Sequence, residues 1–159
     1  FQDTEDLWQD LKKFVATGDF TLGKPLNEFE QRFAELIGSR YAVGVNSGTD
    51  AIKLSLKVLG VGYGDEVITA ANTFVATVGA IAEVGAIPVF VDCKPGEYII
   101  DPAKIEDAIT DKTRCIFVPH TVGIPSDMDV LSLILLNVFI NLLMLSDTET
   151  DSDIDLRAL

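Results

Sequence analysis

Residues 41–50, YAVGVNSGTD, form a short apolar run that stops at Ser47, Gly48 and Thr49 just where a helix begins. Small, hydroxyl-bearing residues at a helix start make a phosphate cradle, because the first backbone N–H groups and the positive end of the helix dipole face the anion. Glycine at the centre lets an oxyanion approach the backbone closely. The same residues also read as a simple cap, with Ser47 or Thr49 accepting from the first turn. A second strand-to-helix junction carries Asn72, Thr73 and Phe74, and His120, the chain's single histidine, follows a further strand. On its own Phe74 reads first as a core residue at a helix start. An imidazole exchanges protons near neutral pH, although a lone histidine also serves structural ends.

The elements that would position these residues are visible in the apolar spacing. Residues 3–17 read as a helix with Leu7, Leu11, Phe14 and Val15 on one face and Gly18 as its stop. Pro25 opens a second helix, whose stripe of Leu26, Phe29, Phe33, Leu36 and Ile37 ends at Gly38. Strand and helix then alternate: strand 41–45, helix 49–59, strand 67–70, helix 74–84, strand 87–92, a helix opened by Asp101 and Pro102 and ending near Ile109, and strand 115–118. Strands that are apolar throughout and alternate with helices predict a parallel sheet covered on both faces. Right-handed crossovers set the strand-to-helix loops along one edge, where ligands of such sheets bind. On this reading residues 47–49 and 72–74 converge on one site.

Composition narrows the partners. The chain has 159 residues, 48% hydrophobic and 23% charged, with a net charge of −13. So acidic a chain is not built to neutralise a nucleic acid or an anionic membrane surface. Cys93 and Cys115 lack CxxC spacing, so no metal site is expected and both read as reduced core thiols of a cytoplasmic protein. The N-terminal segment is amphipathic and acidic rather than basic then apolar, unlike a secretory leader. From residue 130 the pattern changes: VLSLILLNVFINLLML at 130–145 is followed by an acidic stretch, 146–155. Sixteen residues without basic anchors fall short of the roughly 20 that a bilayer requires, so a membrane span is not expected.

The motifs FTLGKPLNEFEQRFAELIG, VNSGTD, GYGDEVITAANTFVAT, VFVDC and PHTVGIPSDMD, in order and in register over residues 20–129, resemble the DegT/DnrJ/EryC1/StrS family. That resemblance implies an α/β fold: part of an aspartate-aminotransferase-like (fold type I) large domain, with a mainly parallel sheet and helices on both faces. It implies pyridoxal 5'-phosphate as cofactor, with weak or absent binding expected in this chain, and, for the intact enzyme, a nucleotide-linked keto sugar and an amino donor as substrates and a homodimer. Gly48 and Thr49 match the donors to the cofactor phosphate, with Ser47 beside them, and Phe74 matches the aromatic residue that stacks on the pyridine ring. His120 matches a histidine near the cofactor. Asp65 and Asp92 read as turn and strand-end residues, and Lys53 and Lys57 as a surface face at i, i+4.

The resemblance also places an aspartate in an E-D-x-x-Q context, and then the cofactor-binding lysine, beyond Asp129. Asp147 falls near the first position, but SDTETD lacks the flanking glutamate and glutamine, and no lysine follows Lys112. No catalytic residue is therefore assigned. Residues 1–129 are expected to be a truncated large domain, and 130–159 an atypical tail arising from a frameshift or truncation. Three functions stay open: a sugar aminotransferase, a non-catalytic remnant or interaction module, and a dehydratase-like member of the same family. The last is favoured slightly by Thr121 and Val122, where many members carry leucine and tyrosine.

Overall fold

The computed structural model describes residues 4–135, which divide after Asn46 into two units, Phe1–Asn46 and Ser47–Leu159. Asp147, the acidic stretch 146–155 and the apolar run after residue 135 lie outside the described residues.

In the first unit, α1 (Thr4–Thr17) and α2 (Lys24–Ile37) fall where the apolar spacing puts them. Pro25 sits in the first turn of α2, where its missing N–H costs nothing. Gly38 ends the helix in the left-handed conformation (φ 70°), so that its own N–H and that of Ser39 reach the carbonyls of Glu35 and Ala34. Phe29 and Phe33, four residues apart, stack at 5.6 Å. The strand expected at 41–45 is not formed. A strand exists through the hydrogen bonds of a neighbour, and no described strand pairs with this segment. The Gly44 N–H instead donates to Glu30 Oε1 at 2.6 Å.

The second unit holds a sheet of three parallel strands, β1 (Glu66–Ala70), β2 (Ile87–Val91) and β3 (Thr113–Phe117), in the order β2-β1-β3. Central β1 is paired on both sides, with Ile68 opposite Val89 and Ile116. Its side chains alternate between two cores. Val67 packs with Leu56 of α3 (Gly48–Val58) and Ile81 of α4 (Val75–Glu83); Ile68 and Ala70 pack with Val91, Ile100, Ile105, Leu131 and Ile134. The sheet therefore carries helical structure on both faces, as expected.

A second element departs from the sequence reading. The helix expected from Asp101 to Ile109 is two 3-10 turns, Pro102–Lys104 and Glu106–Ala108. A 3-10 turn repeats about every three residues, and Pro102, Ile105 and Ala108 are spaced by three; Pro102 is buried, and the other two lie in or against the Ile68 core. Residues 128–135 are helical, with Asp127 accepting from the Val130 N–H, and Leu131 and Ile134 enter that core. Among the described residues no helix is long and apolar enough to cross a membrane.

Candidate functional site

The turn between β1 and α4 is fixed atom by atom. The Ala71 N–H donates to the Val91 carbonyl at 2.8 Å and the Thr73 N–H to the Ala70 carbonyl at 3.1 Å. The Asn72 amide donates to the Tyr98 carbonyl at 3.0 Å, and the hydroxyls of Thr73 and Thr77 bond at 2.9 Å. This turn delivers Phe74 to the N-cap of α4 in an extended conformation. Phe74 is 76% exposed, so it is not a core phenylalanine.

Because β3 runs parallel to β1 and beside it, the loop after β3 emerges at the same edge. That loop carries His120, whose Nδ1 accepts the Ser126 N–H at 3.2 Å. Ser126 is itself only 5% exposed, and its hydroxyl faces the Pro119 carbonyl at 3.5 Å. The turn Thr121–Gly123 follows, with Val122 at φ 51°, a strained conformation for a β-branched side chain. Phe74, His120, Thr121 and Val122 thus line one open cleft of about 700 Å³, together with Asn72, Thr73 and Thr77. Thr121 Oγ1 is buried there with no hydrogen-bond partner among the described residues.

The 47–49 cradle stands at the start of α3, and its residues do not line this cleft. Ser47 is the cap: its hydroxyl accepts the Asp50 N–H at 3.1 Å and lies 3.3 Å from the Asp50 carboxylate. Gly48 and Thr49 occupy the first two helical positions, whose N–H groups have no carbonyl to meet in their own helix. Gly48 is exposed, and a Cβ built on it would meet nothing within 4 Å.

The remaining singled-out residues are structural. Asp65 accepts the Gly62 N–H at 2.8 Å within the turn before β1. Asp92 accepts the Cys93 N–H at 2.9 Å and pairs with Lys104 at 3.2 Å; those two contacts, the backbone one first, hold its carboxyl below the usual range. Lys53 is no loose surface charge, since it pairs with both Asp50 and Glu83, whereas Lys57 is exposed. Cys93 and Cys115 are free and half-buried, and burial pushes the Cys115 thiol up. No cluster of three or more histidine, cysteine or acidic side chains suited to a metal ion occurs among the described residues.

Sequence reasoning reached Phe74 and His120 but missed what holds them. The backbone donor at Ser126 and the amide bridge from Asn72 to Tyr98 leave no mark in residue type or spacing.

The sequence profile of the DegT/DnrJ/EryC1/StrS aminotransferase family matches residues 2–148. A dTDP-3-amino-3,6-dideoxy-alpha-D-galactopyranose transaminase of Aneurinibacillus thermoaerophilus is 38% identical over 130 residues, covering 82% of this chain and 36% of that protein. A 3-oxo-glucose-6-phosphate:glutamate aminotransferase of Bacillus subtilis is 43% identical over 126 residues, covering 79% of this chain and 29% of that protein. Among solved structures, NtdA of Bacillus subtilis with bound cofactor PMP superposes with a TM-score of 0.81 at 40% identity, covering 86% of this chain and 32% of the other. The chain belongs to the DegT/DnrJ/EryC1/StrS aminotransferase family, with the partial fold type I architecture that the resemblance implied. It spans about a third of the length of the curated relatives it matches.

The residues present fit pyridoxal phosphate. The cleft offers an exposed aromatic face for a ring and an orphaned hydroxyl at Thr121, and the open start of α3 offers N–H groups for a dianion.

Proposed function

We propose that this member of the family carries the cofactor-facing part of a pyridoxal-phosphate-dependent aminotransferase acting on nucleotide-linked keto sugars, an enzyme that is a homodimer when intact. The observation that carries the reading is the exposed ring of Phe74 in the cleft where β1 and β3 end, set beside the 38–43% identity to sugar aminotransferases. In this reading the Gly48 and Thr49 N–H groups and the Thr49 hydroxyl hold the cofactor phosphate, while Ser47 fixes the helix start that aims them. Phe74 stacks on the pyridine ring and excludes water from that face. When bound, the cofactor supplies the electron sink that carries an amino group between donor and acceptor.

The test is a titration of the full chain with pyridoxamine phosphate, followed by competition with inorganic phosphate. Saturable binding that phosphate displaces supports the reading; no saturable binding overturns it. A second reading, binding without transamination, is favoured by one observation: no lysine lines the cleft. The same chain loaded with pyridoxamine phosphate and given a nucleotide-linked keto sugar separates the two readings. Conversion of the cofactor to pyridoxal phosphate favours the enzyme, and its recovery unchanged favours the binding module.

A further inference from the structure

We propose that His120 is held as a single neutral tautomer, protonated at Nε2, and that through this proton it donates a hydrogen bond to a negatively charged oxygen of the ligand stacked by Phe74. The inference rests on the cofactor reading above. Its starting point is the bond from the Ser126 N–H to Nδ1 at 3.2 Å. A backbone N–H can only donate, so Nδ1 must present its lone pair, and the ring proton of a neutral imidazole then sits on Nε2.

The loop is built to keep that arrangement. Ser126 is 5% exposed and its hydroxyl faces the carbonyl of Pro119, so the donor sits on a buried anchor rather than a free strand of backbone. The turn Thr121–Gly123 closes between them, with the Gly123 N–H donating to the His120 carbonyl at 3.0 Å. Among the described residues that line the cleft, no other is ionisable. One N–H of the Asn72 amide donates to Tyr98 and the Thr73 hydroxyl bonds to Thr77, so the His120 ring proton is one of the donors the wall offers, beside the second Asn72 N–H. An aromatic face and an N–H donor that line one cleft suit a flat ring that bears an oxyanion, as pyridoxamine phosphate does.

His120 is the chain's only histidine, so its ring nitrogens are read without assignment ambiguity. A long-range nitrogen–proton correlation spectrum of the labelled 159-residue chain is expected to show the Nε2–H pattern. An Nδ1–H pattern overturns the proposal. Binding of pyridoxamine phosphate is then compared in two variants. His120→Gln places an amide donor near the Nε2 position and is expected to bind within about threefold of the parent chain, whereas His120→Asn reaches only the Nδ1 position and is expected to bind about tenfold more weakly. Equal affinities in the two variants overturn the donor role alone. If the parent chain fails to bind, the donor role and the cofactor reading fall together, so the two failures are distinguishable.

Discussion

Lys53 of α3 lies 3.1 Å from Glu83 of α4 and 2.6 Å from Asp50, so a single ammonium ties the start of one helix to the end of the other. The two helices are those that Ser47 and Phe74 open. Lys53 also offsets the charge of the Asp50 carboxylate, which sits in the first turn of α3. Asp50 first, and Glu83 second, raise the Lys53 pKa above its ordinary 10.5.

Removing that ammonium should lower thermal stability in a pH-dependent way. A folded-state pKa raised above the unfolded one gives stability that is fully present below 10.5 and disappears as pH rises through the folded value. The melting temperature of Lys53→Met is therefore expected to lie below that of the parent chain at neutral pH. The gap should close above pH 10.5 and shrink in high salt. A gap that persists in strong alkali would mean that the variant lost packing rather than charge.

Phe74→Ala separates a ligand-facing ring from a core ring. With 76% of the residue exposed, its removal should change folding stability by no more than about 0.5 kcal/mol. The same change removes an aromatic stack, so affinity for pyridoxamine phosphate should fall about tenfold. Denaturant melts and a fluorescence titration measure the two quantities separately. A large loss of stability with unchanged affinity would return Phe74 to the core.

How far the sequence shows the fold depends on which partner each element uses. Local elements are legible: the stripe of α2 and its Gly38 stop need nothing beyond their own neighbours. The three strands of the sheet are legible because each carries an apolar run, Val67 and Ile68 in β1, Ile87 to Val91 in β2 and Cys115 to Phe117 in β3. Residues 41–45 look the same in sequence, but a strand also needs an edge to pair with, and residue type does not say whether one is present. The segment 101–109 misleads for a different reason, since spacing by three satisfies a 3-10 turn about as well as one side of an α-helix. At the site, Phe74 and His120 are legible by resemblance. The tautomer of His120 is not, because the Ser126 backbone that sets it has no side-chain signature.

Two glycines should respond in opposite ways to a methyl group. Gly85 adopts φ 85°, and a Cβ there would lie 3.3 Å from the Tyr63 backbone, so Gly85→Ala should cost about 1–2 kcal/mol or more of folding stability. Gly48 has open space around its Cβ position and sits in a helix, so Gly48→Ala should leave stability unchanged or raise it by up to about 1 kcal/mol. The same methyl intrudes where the phosphate would approach, so affinity for pyridoxamine phosphate should drop. If Gly48→Ala binds as well as the parent chain, the phosphate sits elsewhere.

The apolar run from residue 130 can be tested by the residues it buries. Leu131 is 2% exposed and belongs to the cluster containing Ile68 and Ile105, whereas Leu133, two positions on, is 60% exposed. Deleting a buried leucine side chain removes its transfer energy and leaves a cavity, so Leu131→Ala should cost about 2–5 kcal/mol. Leu133→Ala, with little contact to lose, should cost no more than about 0.5 kcal/mol. Chemical denaturation of the two variants measures the contrast directly. The predicted asymmetry makes the first turns of this run a working part of the hydrophobic core beneath β1. Small and equal costs would instead mean that the sheet holds its Ile68 face without them, and that the change in sequence pattern near Asp129 is also the boundary of the folded unit.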